Sequence, residues 1–284
     1  MYVYCSPQGG FNDQLTVIYH AINYCNTHNR TLLLDTTKSC YQINWSDYFT
    51  FQMTNITIIS DIFKIKELLH DGLTVYPPCL TGKLSIMLNV KLFRGTENNY
   101  CYVSDKESVV LQLPKQSSED VIIYCAWGSG RKGFDLFKTL ILSNTVKTHC
   151  NNKFALLSKP YLGIQIRNTD YKCDYVGLYE ENKDLIHSYK TIYIATDCKE
   201  AIDFFKTICI NSTIFNFTTF PDKITSNLHT ASRVNGDTKM KDLLCDIYMI
   251  TMCDKFITNS KGGFVHLLKQ CHNNDYVKSM FLAI

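Results

Sequence analysis

Tyr2-Val3-Tyr4-Cys5-Ser6-Pro7-Gln8-Gly9-Gly10-Phe11-Asn12-Asp13-Gln14-Leu15 is the stretch on which the fold assignment turns. Residues 2–5 form a short apolar run, and Ser6 to Gly10 is loop chemistry. From Asn12 onward, apolar residues recur at Leu15, Ile18, Tyr19, Ile22 and Cys25, the spacing of one helical face. Asn29-Arg30 closes that helix, and Thr31-Leu32-Leu33-Leu34-Asp35 reads as a buried parallel strand. Strand, glycine turn, helix and strand make the start of a βαβ unit.

Working outward, residues 41–114 carry few signals. Residues 56–59 and 74–76 read as short strands, and 61–70 as a helix. A polar break at Ser117-Ser118-Glu119-Asp120 precedes a strand over 121–125. The basic glycine-rich loop Trp127-Gly128-Ser129-Gly130-Arg131-Lys132-Gly133 follows it. A second βα series begins after Lys159-Pro160. Its strands are 161–166, 191–195, 213–217 and 255–258. Its helices are 199–208, with Ala201, Ile202, Phe205 and Ile208 on one side, and 239–252, with Met240, Leu243, Leu244, Ile247 and Ile250. Gly262-Gly263 opens a last helix containing Phe264, Leu267 and Leu268. Alternating strands and helices imply parallel sheets covered on both faces. Two such series predict an α/β protein of two Rossmann-like lobes, 1–155 and 156–284, with a cleft between them.

Composition narrows the function. The 284 residues are 45% hydrophobic and 19% charged with net charge +3, a globular balance. No basic tract with interleaved aromatics argues for nucleic acid. The thirteen cysteines are odd in number, irregularly spaced and without a CxxC pair. That pattern reads as buried thiols in a reduced, intracellular protein, with a disulfide scaffold as the alternative. Sequons at Asn29, Asn44, Asn55, Asn211 and Asn216 matter only in a secretory compartment. Without a signal-peptide pattern or a stretch of ~20 apolar residues, the expectation is a cytoplasmic chain with no membrane span. Abundant Asn, Ile, Lys and Tyr fits an AT-rich genome, such as a viral one.

Ligands of open parallel sheets bind beyond the carboxyl ends of the strands, and four segments fall there. At Gly9, Gly10, Asn12 and Asp13, a glycine turn leads into a helix whose free N–H groups suit a phosphate or other anion; the alternative is a tight turn capped by Asn12 or Asp13. At Gln165, Arg167 and Asp170, an arginine ends a buried strand. Its fork of donors suits a diphosphate, unless it pairs with Asp170 or Asp174. Asp197 ends the next strand, where it binds a ligand hydroxyl or caps the following helix. At Ser260, Gly262, Gly263 and Phe264, a second glycine turn offers amides to an anion, and Phe264 covers a base or joins the core. Walker, HExxH, GxSxG and zinc-ligand spacings are missing from the sequence. No Asp-x-Asp pair occurs, which favours a donor site that offsets diphosphate charge without a metal.

Taken in order, these segments resemble the fucosyltransferase superfamily that includes protein O-fucosyltransferases and the α-1,2 and α-1,6 enzymes. The matching residues are Gly9-Gly10-Phe11-Asn12-Asp13-Gln14-Leu15, Asn29-Arg30-Thr31-Leu32, Ser46-Asp47-Tyr48-Phe49, Gln165 through Asp170, Ile194 through Asp197, and Asp246 through Phe264. The resemblance spans residues 9 to about 270. It implies a GT-B fold, an inverting mechanism, GDP-fucose as donor, a glycan or glycoprotein acceptor and no metal. It places Arg167 on the donor diphosphate, Gly262, Gly263 and Phe264 at phosphate and base, and Asp197 and Asp246 at recurrent acidic positions. The chain departs from the family pattern in three places. Gln165 replaces a histidine, Gly262-Gly263 replaces Ser-Ser, and Asp13 stands where the family mostly has asparagine. A carboxylate at position 13 is a candidate base for the acceptor hydroxyl.

Overall fold

The computed structural model describes residues 1–52, 55–89, 100–104, 107–128, 131–168, 172–221 and 234–282. Ser129 and Gly130 of the basic loop, and Thr169 and Asp170 of the arginine motif, lie outside the described residues. The chain divides into two compact units, Met1–Ile141 and Leu142–Ile284. The first unit contains, in order, β1 (Tyr2–Cys5), α1 (Phe11–His28), β2 (Thr31–Leu34), β3 (Phe49–Phe51), β4 (Ile58–Ile59), α2 (Ile62–Leu68), β5 (Val75–Tyr76), α3 (Leu84–Asn89), β6 (Tyr100–Ser104), β7 (Glu107–Val110), β8 (Val121–Tyr124) and α4 (Gly133–Phe137). β9 (Leu140–Leu142) then leads into α5 (Asn144–Phe154), β10 (Leu162–Ile166), α6 (Tyr175–Glu181), α7 (Lys183–Ser188), β11 (Thr191–Thr196), α8 (Lys199–Ile208), β12 (Thr213–Phe215), α9 (Gly236–Met252), β13 (Lys255–Ile257), α10 (Gly263–Cys271) and α11 (Asp275–Leu282).

In the first unit, five parallel strands run in the order β4-β2-β1-β8-β5. β1 is central, with Tyr2 beside both Thr31 and Val121. Side chains alternate across a strand. Tyr4, Leu33, Val121 and Ile123 accordingly share a core with Ile65 and Leu69 after α2, and with Leu84 and Met87 of α3. The opposite alternation, Val3, Cys5, Leu32 and Leu34, is equally buried. α1 serves this unit with an apolar face of Phe11, Leu15, Ile18, Ala21 and Cys25. Tyr19 and Ile22, expected on that face, are only half-buried.

In the second unit, four parallel strands run β12-β11-β10-β13. β10 and β11 are buried along their whole length, Gln165, Thr191 and Thr196 included. Leu162, Ile164, Ile192 and Ile194 pack with Leu178, Ile186 and Phe205 from α6, α7 and α8. On the other face α9 lies so close that a Cβ on Gly163 would stand 2.7 Å from Cys253 Sγ and 2.9 Å from Ile250 Cδ1. The helices α5, α6, α7 and α11 and the β6–β7 hairpin are additions to the elements read from sequence. Twelve cysteines have described side chains, and all twelve are free thiols. Among the described residues no helix is long and apolar enough to cross a membrane.

Candidate functional site

The carboxyl ends of β10 and β13 carry the densest polar construction in the second unit. Arg167 follows β10 directly, and its backbone N–H donates to Ser260 Oγ at 3.0 Å. Ser260 is 4% exposed, and its own N–H donates to Thr258 Oγ1 at 3.0 Å. Thr258 in turn donates to Gln165 Oε1 at 3.0 Å. This chain of bonds fixes the loop after β13 against the last residues of β10. The buried Gln165 side chain therefore spans the two strand ends. The loop then turns at Gly262, whose φ of 111° favours glycine, and α10 begins at Gly263. A Cβ added to Gly262 would lie 3.2 Å from Arg167 Nη1. The guanidinium thus stands at the mouth of α10, where unpaired N–H groups and the positive end of the helix dipole collect. Two sources of positive charge converge on one point. Phe264, in the first turn, is half-buried, and Leu267 and Leu268 behind it are core.

Asp197 ends β11 and accepts the Asn168 N–H at 2.7 Å. The α8 N-terminus has Cys198 as its capping residue, without a side-chain cap. The Asp197 carboxylate ties the turn after β10 to the end of β11. Asp174 caps α6 by accepting the Gly177 N–H. Asp246, on α9, accepts a hydrogen bond from Tyr193 Oη at 2.6 Å. Burial pushes its carboxyl up to about 8, Asp242 and Asp197 add to the rise, and the Tyr193 bond opposes it. A protonated carboxyl here offers one donor and one acceptor to a polar ligand.

The glycine turn of the first unit is built differently. Gly9 has φ 85°, and its carbonyl accepts from Gln14 Nε2 at 2.9 Å and Cys40 Sγ at 3.1 Å. Asp13 Oδ2 accepts the Gly10 N–H at 3.3 Å, closing the first turn of α1. The capping alternative is thus realised by Asp13. Asn12 is 3% exposed, and its Nδ2 has no acceptor. It packs so tightly on Gly133 that a Cβ there would overlap Asn12 Oδ1. The loop after β8 passes equally close, since a Cβ on Gly128 would overlap the Asp13 carbonyl oxygen. Sequence reading missed Trp127 in this loop, although it is 51% exposed. Nothing in a sequence separates an exposed tryptophan from a core one. Asn168 and Thr258 were missed as well, because their roles depend on tertiary pairing. Among the described residues no group of His, Cys, Asp or Glu is set to hold a metal.

These features define an α/β protein of two parallel sheets, each with a glycine-opened helix at its carboxyl strand ends. No family profile matches the sequence, and no curated protein sequence matches it. Solved structures do match. NodZ alpha-1,6-fucosyltransferase, soaked with GDP-fucose, is similar at TM-score 0.61 and 17% identity, over 95% of this chain and 92% of that one. Fucosyltransferase NodZ from Bradyrhizobium gives 0.59 and 15%, over 95% and 93%. POFUT1 in complex with GDP-fucose gives 0.54 and 14%, over 96% and 95%. The chain has the fold of these fucosyltransferases along nearly its whole length.

Proposed function

We propose that the protein is a glycosyltransferase that moves fucose from GDP-fucose to an acceptor hydroxyl, with inversion and without a required metal. The observation that carries this reading is Arg167 Nη1 beside Gly262 at the opening of α10. Support comes also from the solved relatives in fold, which were crystallised with GDP or GDP-fucose. The second unit takes the donor. Arg167 and the amides of Gly262 and Gly263 bind the diphosphate, Phe264 covers the base, and Gln165, Ser260, Asp197 and Asp246 shape or contact the nucleotide site. The first unit takes the acceptor beside Gly9, Gly10 and Asn12. The acceptor oxygen attacks the anomeric carbon while the bond from that carbon to the diphosphate oxygen breaks. The electron pair leaves on GDP, and the hydroxyl proton passes to the Asp13 carboxylate. Charge grows on the leaving oxygens as the bond lengthens, so a fixed guanidinium and helix N-terminus stabilise the transition state more than the ground state.

Arg167→Ala is expected to lower kcat for transfer by about a hundred- to a thousandfold with an unchanged melting temperature. Arg167→Lys, which keeps charge without the fork, should recover only part of the loss. Radiolabelled fucose transfer measures both. Normal turnover by Arg167→Ala would remove the basis of the assignment. Full activity in excess EDTA is the matching expectation for the metal-independent step.

A further inference from the structure

We propose that Trp127 is the platform on which a pyranose ring of the acceptor lies, so that the acceptor is a carbohydrate and not a polypeptide side chain. This deepens, and rests on, the transferase reading above. In the order β4-β2-β1-β8-β5 the chain leaves β1 for β2 on one side, while β8 and β5 lie on the other. The strand order reverses between β1 and β8, and ligands of open parallel sheets bind outside the strand ends at that point. The loops leaving these two strands run side by side there. Gln8 N–H donates to the Ala126 carbonyl at 2.9 Å, and Gln8 and Trp127 form a parallel bridge. The next residue, Gly128, presses on the Asp13 carbonyl. Trp127 is therefore held on backbone anchored at both sides, one residue from the turn that carries Asp13.

Its indole is 51% exposed, whereas the other tryptophan, Trp45, is 1% exposed. Single exposed apolar residues are common on protein surfaces. Phe63 and Ile86 sit on the helices α2 and α3 and fit that rule. Trp127 differs because a strand-end loop tied to Gln8 presents it beside the carboxyl ends of β1 and β8, where open parallel sheets bind ligands. An indole offers an apolar face of about 150–250 Å² with a polar N–H at its edge. A pyranose matches it with an apolar face of C–H bonds and hydroxyls around the rim. A serine or threonine side chain has no such face. A nucleotide base also stacks on an aromatic ring, and the test must separate that case.

The chain has two tryptophans, so a ligand-induced change in emission that is lost in Trp127→Phe reports Trp127. The intact protein is titrated with methyl glycosides of glucose, galactose and N-acetylglucosamine, with a Ser/Thr peptide, and with GDP. At least one glycoside should quench or shift the emission, and Trp127→Phe should abolish that signal. Trp127→Ala should raise the KM for that glycoside at least tenfold. Trp127→Phe should restore most of it, with kcat and the KM for GDP-fucose within threefold of the parent. Transfer to the peptide and to none of the sugars overturns the proposal, as does an unchanged glycoside KM in Trp127→Ala. A response of Trp127 to GDP, with weakened GDP binding in Trp127→Ala, overturns it in favour of a base platform. Absence of GDP release from GDP-fucose by the parent, with or without acceptor, overturns the transferase reading itself and this proposal with it.

Discussion

Arg30 is 3% exposed, and its guanidinium donates to three carbonyls: Tyr2 at 3.3 Å, Glu119 at 2.9 Å and Ser117 at 2.6 Å. It follows Asn29, whose left-handed φ of 48° ends α1 and turns the chain into β2. The arginine therefore fastens the starts of β1 and β8 together at the end of the sheet away from the glycine turn. Hydrogen bonds from a charged donor contribute about 1.5–3 kcal/mol each, and removing the donor leaves carbonyls unpaired. Arg30→Ala is expected to destabilise the first unit by roughly 3 kcal/mol, measured by urea unfolding followed at the buried Trp45. Transfer activity well below the transition should stay within twofold, because Arg30 faces no ligand. Unchanged stability would show that the three carbonyls are equally well served by water. At this scale the sequence was most legible where a residue type is costly unless it has a purpose. An arginine at the end of the buried strand Leu162–Ile166 and paired glycines before a helix stood out. The partners of Asp197 and Gln165 did not, because a backbone N–H at Asn168 and a hydroxyl at Thr258 are brought there only by folding.

Elements were legible in proportion to their burial. β10 and β11, buried on both faces, and α8, with Ala201, Ile202 and Phe205 on one side, follow directly from their patterns. α5 is polar throughout and buries only Val146, Lys147 and Cys150, so no periodicity announces it. α6 and α7 are short and separated by Asn182, and each buries only one or two side chains. α9 carries a consequence for pH. It packs beneath β11, and the Tyr193–Asp246 hydrogen bond joins the two. The folded carboxyl of Asp246 holds its proton up to about pH 8, chiefly through burial. In the unfolded chain an aspartate ionises near pH 4 (about 3.9). Between these values the folded state binds a proton that the unfolded state releases, so this group's contribution falls as pH rises through that window. Asp246→Asn removes the dependence while keeping an acceptor for Tyr193. Relative to that variant, the parent should lose up to ~1.4 kcal/mol of stability per pH unit between pH 5 and pH 7.5. Urea unfolding by far-UV circular dichroism at the two pH values measures it, and a parallel shift of both proteins would rule out the titration.

On the proposed function the two sheets divide the labour of a transferase, one for the donor and one for the acceptor. The repetition of βα series was visible in the sequence because apolar strands alternate with helical periodicity and the turns after β1, β8 and β13 carry glycines. Residues 41–76 were opaque because β3, β4 and β5 are two or three residues long and bury only Phe49 and Val75. If the second unit alone takes the nucleotide, GDP must act on its backbone first. The amides of Gly262, Gly263 and Phe264 lie at the opening of α10. The first four N–H groups of a helix have no partner within it, so such amides exchange with solvent quickly unless a ligand binds them. GDP at about a hundred times its Kd should stabilise the protein by about 2.7 kcal/mol, with UDP and dTDP well below that. Hydrogen–deuterium exchange should then slow at residues 262–265 on GDP addition. Residues 8–14 should slow only when an acceptor is added. GDP protection confined to the first unit would reverse the assignment of donor and acceptor, and equal stabilisation by all three nucleotides would leave the base unread by the protein.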